Sequence, residues 1–95
     1  TGGGIPGNLN RVLPERCDAV VQRRSFETPR IFTEIQRIGE IPEAEMAATF
    51  NLGLGLIVVV PPSDAYKTLD VLRAAGHLAV QVGEVVDGAG LVHLA

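Results

Sequence analysis

The residues best suited to chemistry stand at the start of the chain: Thr1-Gly2-Gly3-Gly4-Ile5-Pro6-Gly7-Asn8-Leu9-Asn10-Arg11-Val12-Leu13-Pro14. Glycine leaves no side chain between backbone and ligand and adopts positive φ readily. Successive exposed N–H groups in such a loop form a concavity that suits an anion, and a helix start behind it adds positive partial charge. Arg11 supplies a planar guanidinium fork that matches phosphate. Each feature also has an ordinary reading. The glycine run fits neither standard phosphate-loop spacing and equally describes a tight turn before a helix. Arg11 equally suits an ion pair with Glu15 one turn on.

A second segment, Glu45-Met46-Ala47-Ala48-Thr49-Phe50-Asn51-Leu52-Gly53-Leu54-Gly55, places an amide side chain and two glycines just before an apolar run. Glycine there weakens a strand unless a ligand or another backbone comes close. Asn51 offers both a donor and an acceptor. A β-bulge and a binding site are both consistent with this pattern. Met46 and Phe50, four residues apart, read as core packing. His77 and His93 have no nearby His, Cys or paired carboxylate at ligand spacing. No general base and no metal site can be named from the chain.

Elements must position these groups. Residues 1–7 read as a loop, with Asn8 capping a short helix that Pro14 ends. Residues 17–23 read as a strand. Thr28-Pro29 reads as a helix start, with Ile31, Ile35 and Ile38 on one apolar face and Gly39 as the stop. A shorter helix is expected from Pro42 to Thr49, its Glu43 and Glu45 in the first turn. The apolar run 54–60 predicts a central strand covered on both faces. Ser63 is expected to cap a helix to Ala75, closed by Gly76, with Ala65, Leu69 and Leu72 facing inward. Residues 78–86 predict a strand, and Asp87-Gly88-Ala89-Gly90 a turn into a last strand at 91–94. The order implies an α+β fold, with helices packed on a mixed or mostly antiparallel sheet.

Length and composition bound the rest. The chain has 95 residues, which suits one domain spanning 1–95. A domain of this size buries roughly 60–70% of its unfolded surface and has little stability margin. Only 4% of residues are aromatic, so the core is aliphatic and a base-stacking platform is not expected. A net charge of −3 without a basic tract argues against nucleic acid or an anionic membrane as partner. Cys17 is the only cysteine, so no intrachain disulfide is possible, which fits a cytoplasmic setting. No signal peptide is recognisable, and the longest apolar run is too short to span a bilayer.

The two motifs, in this order and at this separation, resemble those of phosphoribosylformylglycinamidine cyclo-ligases, the AIR synthetases of purine biosynthesis. That family's pattern is Thr-Gly-Gly-Gly, an Asn, then Pro-Arg-x-Leu-Pro, and later Glu-Met-x-Arg-Thr-Phe-Asn-x-Gly-x-Gly. The chain departs from it at Asn10, where the family usually has Pro, and at Ala48, where it usually has Arg. The second change removes a cation beside a motif expected to face the cleft.

The resemblance implies the second half of an AIR-synthetase-type C-terminal domain, with the N-terminal ATP-binding and dimer-forming lobe absent. The implied reaction is ATP-dependent ring closure of formylglycinamidine ribonucleotide to aminoimidazole ribonucleotide. ATP and Mg²⁺ would serve the full-length homodimer, and this fragment would hold neither alone. The missing lobe and a small-molecule substrate are the implied partners. Thr1, Gly2, Gly3, Gly4, Asn8 and Arg11 form one implied ligand-facing segment, and Thr49, Asn51 and Gly53 another. Sibling ATP-dependent enzymes of the selenophosphate synthetase or thiamine-monophosphate kinase type, or the larger amidotransferase of the preceding purine step, are the alternatives within the superfamily. A non-catalytic small-molecule or protein-interaction module is the alternative outside it. The Asn-x-x-Arg-x-Leu-Pro continuation and Thr-Phe-Asn favour the cyclo-ligase.

Overall fold

Ile5 and Leu9 stand one helical turn apart, and burying both selects a helix where the glycines alone suggest a loop. In the computed structural model, which describes residues 2–95, Gly4–Leu9 form α1 and both side chains are buried. A 3₁₀ turn, Asn10–Val12, follows. Asn8 therefore lies inside the helix, not at its cap. Its amide reaches back to the carbonyls of Gly2 and Gly4, at 3.1 and 2.8 Å.

The β-branched and small residues of Cys17–Val21 form β1, with Ala19 and Val21 buried on one face. The helix expected at Thr28-Pro29 begins one residue later: α2 spans Arg30–Gly39, and Pro29 is held extended before it. Helix α3 spans Glu43–Thr49 with Met46 fully buried. The Phe32 and Phe50 rings meet at 5.5 Å between centroids, tying α2 to the end of α3. Of the expected isoleucine face only Ile35 is half-buried, while Ile31 and Ile38 are exposed. Helix α4 spans Ala65–Ala74 behind a 3₁₀ turn at Pro62–Asp64, and Gly76 follows at positive φ.

Strands β2 (Gly83–Asp87) and β3 (Val92–Leu94) do not pair with each other as the turn between them suggests. The sheet order is β2-β1-β3. Strand β1 lies antiparallel to β2, with Cys17 opposite Asp87, and parallel to β3, with Ala19 opposite Val92. A β2–β3 hairpin would leave β1 with an unpaired edge. Insertion of β1 satisfies both of its edges and buries Ala19 and Val21 against Ile5 and Leu9. The result is an α+β fold with helices packed on a mixed three-stranded sheet.

The expected central strand at 54–60 is absent. The segment has no ladder partner among the described residues, and it runs beside the sheet as an unpaired apolar stretch. Leu54 and Ile57 pack on the core, whereas Leu56 is 82% exposed and Val58 and Val59 are also exposed. The run has the apolar composition of a buried strand, but a strand needs a neighbour for its N–H and C=O groups. The expected strand from residue 78 shortens for the same reason, pairing only from Gly83.

Gly4 makes one of the tightest contacts in the fold. Its φ is +61°, and a Cβ there would lie 1.9 Å from the Ala47 carbonyl oxygen. Gly4→Ala is expected to destabilise the protein by about 2 kcal/mol or more, as positive-φ strain adds to displacement of α3. Gly7, with open space around it, is the control, and Gly7→Ala should leave the thermal midpoint unchanged or slightly raised. Equal melting curves for the two variants would contradict the α1–α3 contact.

Candidate functional site

The close approach of Gly4 to α3 brings the two motif segments side by side. The Gly4 backbone sits against Ala47 and Phe50, immediately before and within the Thr49–Gly53 stretch. Gly2 and Gly3 are exposed in front of α1, and Gly3 is left-handed at φ +93°. Asn8 braces this loop from behind through its two carbonyl bonds, a structural task that the sequence did not separate from ligand contact. Thr1 lies outside the described residues.

In the second segment, Thr49 is exposed at the last turn of α3, beside the equally exposed Ala48. Asn51 is half-buried, and its Oδ1 accepts the Gly53 N–H at 2.9 Å. This local turn, rather than a β-bulge, accounts for one of its polar groups and leaves the amide NH₂ available. Gly53 is exposed, with φ +112°, and a Cβ there would lie 2.6 Å from Cδ of Pro29 and 3.2 Å from the Glu27 carbonyl oxygen. Packing on the 27–29 loop therefore suffices to require a glycine there.

Arg11 is exposed on the 3₁₀ turn after α1. Its alternative partner, Glu15, forms no ion pair with it, and no other carboxylate among the described residues does so. The guanidinium is thus free to meet an anion. No group of three or more His, Cys, Asp or Glu side chains that could hold a metal ion is found among the described residues.

One polar cluster escaped the sequence reading. Asp18, on β1, is 14% exposed at its side chain, and its Oδ1 accepts the N–H groups of Ala89 and Leu91 at 2.8 and 2.9 Å. Its Oδ2 meets Nε2 of His93, on β3, at 2.8 Å. The His93 bond, followed by the Leu91 and Ala89 amides, holds the Asp18 carboxyl at about 2, below the ordinary 3.8. Asp18 stands more than seventy positions from its partners, so no local spacing announces them. The only signal was an acidic residue inside an otherwise apolar strand.

The fold and the paired motif segments together define a domain of the AIR-synthetase class. Residues 1–94 match the family model described as AIR synthase related protein, C-terminal domain, and the chain belongs to that family. It is 44% identical over 94 residues, 99% of its length, to the phosphoribosylformylglycinamidine cyclo-ligase of a Thermoanaerobacter species. It is 42% identical over 91 residues, 96% of its length, to the chloroplastic protein of that name from Arabidopsis thaliana. The chain spans 28% of the first relative's length and 23% of the second's. No described helix is long and apolar enough to cross a membrane.

Because the Asp18 carboxyl titrates lower in the folded chain than in the unfolded one, it stabilises the fold above its unfolded value of 3.8. That contribution is lost as the pH falls toward about 2. Asp18→Asn should therefore flatten the dependence of the melting temperature on pH between about pH 4 and pH 2. Parallel acid limbs for the two proteins would show that the carboxylate contributes nothing to stability.

Proposed function

We propose that this chain forms one wall of the substrate cleft in an ATP-dependent cyclo-ligase. That enzyme closes the imidazole ring of formylglycinamidine ribonucleotide in purine biosynthesis. The observation that supports the reading is the contact of Gly4 with α3, which brings the glycine segment beside the segment leading into Thr49–Gly53. The names of the relatives at 44% and 42% identity give the reaction class.

In this reading Arg11 binds the phosphate of the ribonucleotide through its planar fork. Gly2 and Gly3 let the backbone approach that phosphate closely. The exposed Thr49 hydroxyl and the free NH₂ of Asn51 donate to the substrate's polar groups and orient it for ring closure. The described residues offer no carboxylate cluster suited to Mg²⁺, so ligands for the metal that accompanies ATP would come from the rest of the polypeptide. The general base would likewise lie there. The setting we infer is cytoplasmic, in keeping with a single, unpaired Cys17.

The rest of the polypeptide is also the partner that we infer for the open side of the fold. A groove of about 750 Å³ runs between the 54–60 segment, α4 and the β1–β2 edge, lined by Leu54, Ile57, Leu69, Leu72, Val82 and Val85. Its aliphatic lining and the unpaired 54–60 backbone suit added strands that would complete the sheet. The full-length enzyme would act as a homodimer.

In the full-length protein, Arg11→Ala is expected to lower kcat/KM for the ribonucleotide by about tenfold to a hundredfold. The thermal midpoint should hold, since Arg11 makes no ion pair. Unchanged kinetics would remove Arg11 from the site. The 95-residue chain alone is expected to show no turnover with substrate, ATP and Mg²⁺, and to gain it when mixed with the remaining polypeptide. Turnover by the chain alone would refute the proposed division of the cleft.

A further inference from the structure

We propose that Asp18 is a positioning residue that sets the place of Arg11 through a relay of hydrogen bonds. The inference rests on the reading of Arg11 as the phosphate ligand. Residues 88–91 cross the end of β1 as an arch, passing from β2 on one side to β3 on the other. The arch lies on the Asp18 carboxylate so closely that a Cβ at Gly88 would fall 2.1 Å from its Cγ. The carboxylate takes both the Ala89 and the Leu91 N–H. The Gly88 and Gly90 N–H groups bond the carbonyls of Arg16 and Cys17, at 2.8 and 3.0 Å.

These bonds orient the Gly90 carbonyl, which accepts a hydrogen bond from Nδ2 of Asn10. Asn10 opens the 3₁₀ turn that carries Arg11, and the Leu13 N–H closes on the Asn10 carbonyl at 3.3 Å. The relay thus runs from Asp18 through the arch to Asn10, whose 3₁₀ turn carries Arg11 as its next residue. Position 10 departs from the family's proline, and a proline could not donate this bond. In this chain the asparagine side chain takes over the task of fixing the loop.

The test uses the intact protein, with hydrogen exchange of peptides covering 9–13 and 88–91 and steady-state kinetics on the same preparations. Asp18→Ala should speed exchange in both peptides. It should raise the KM for the ribonucleotide by about fivefold while kcat stays within about twofold. Asp18→Asn, whose amide oxygen still accepts both arch N–H groups, should keep exchange and KM near the parent's at neutral pH. Asn10→Ala removes only the last bond of the relay, and decides the matter should Asp18→Ala fail to fold. It should loosen 9–13 and raise KM while leaving 88–91 protected. Unchanged exchange in 9–13 for the alanine variants, or equal damage from Asp18→Asn and Asp18→Ala, would overturn the proposal. Arg11→Ala separates the two readings: if it leaves KM unchanged, the phosphate role fails, while the exchange data still decide the coupling.

Discussion

One carboxylate under one arch organises this fold. A sheet in which the first strand lies between the last two requires the chain to step across that strand. The step leaves the four N–H groups of residues 88–91 in need of partners. Asp18 accepts two of the N–H groups and meets His93 with its other oxygen, so the crossing is satisfied without a longer loop. The glycines at 88 and 90 let the backbone lie that close. Without the crossing, β1 could not pair on both edges. The buried cluster of Ile5, Leu9, Ala19 and Val21 would then lose the sheet on which it rests.

The candidate site inherits its geometry from that sheet. Helix α1 packs on β3 and α3, and Gly4 brings its backbone onto the Ala47 carbonyl. The two motif segments meet because a side chain is missing at that one position. The polar residues around them divide between support and contact. Asn8 and Asn51 spend hydrogen bonds on the local backbone, while Arg11, Thr49 and the first glycines face solvent.

The face that carries the 54–60 segment and α4 is open. The chain extends 43 × 34 × 19 Å, so it is thin, with helices and one extended segment lying over a narrow sheet. Six apolar side chains are buried among the described residues, while Leu56, Val58, Val59, Leu78 and Val80 stay in water. Exposed aliphatic surface on this scale costs solvation free energy.

Much of this was legible in the residues themselves. Helices α2, α3 and α4 follow from proline and glycine punctuation around stretches of helix-forming residues. Local chemistry suffices for such features because their causes lie within a few residues. Three things were not legible. The 54–60 run has strand composition, but whether it pairs depends on a neighbour that its own residues do not contain. The turn after β2 has hairpin composition, yet it becomes an arch because β1, some seventy positions away, claims the space between the strands. Asp18 and Asn10 read as ordinary polar residues until the arch lies against both. Sequence alone determined the places of α2, α3 and α4, because proline, glycine and apolar residues act within a few positions. Tertiary structure alone decided which strands pair and which polar groups hold them, because hydrogen bonds between distant segments depend on where the backbone has been carried.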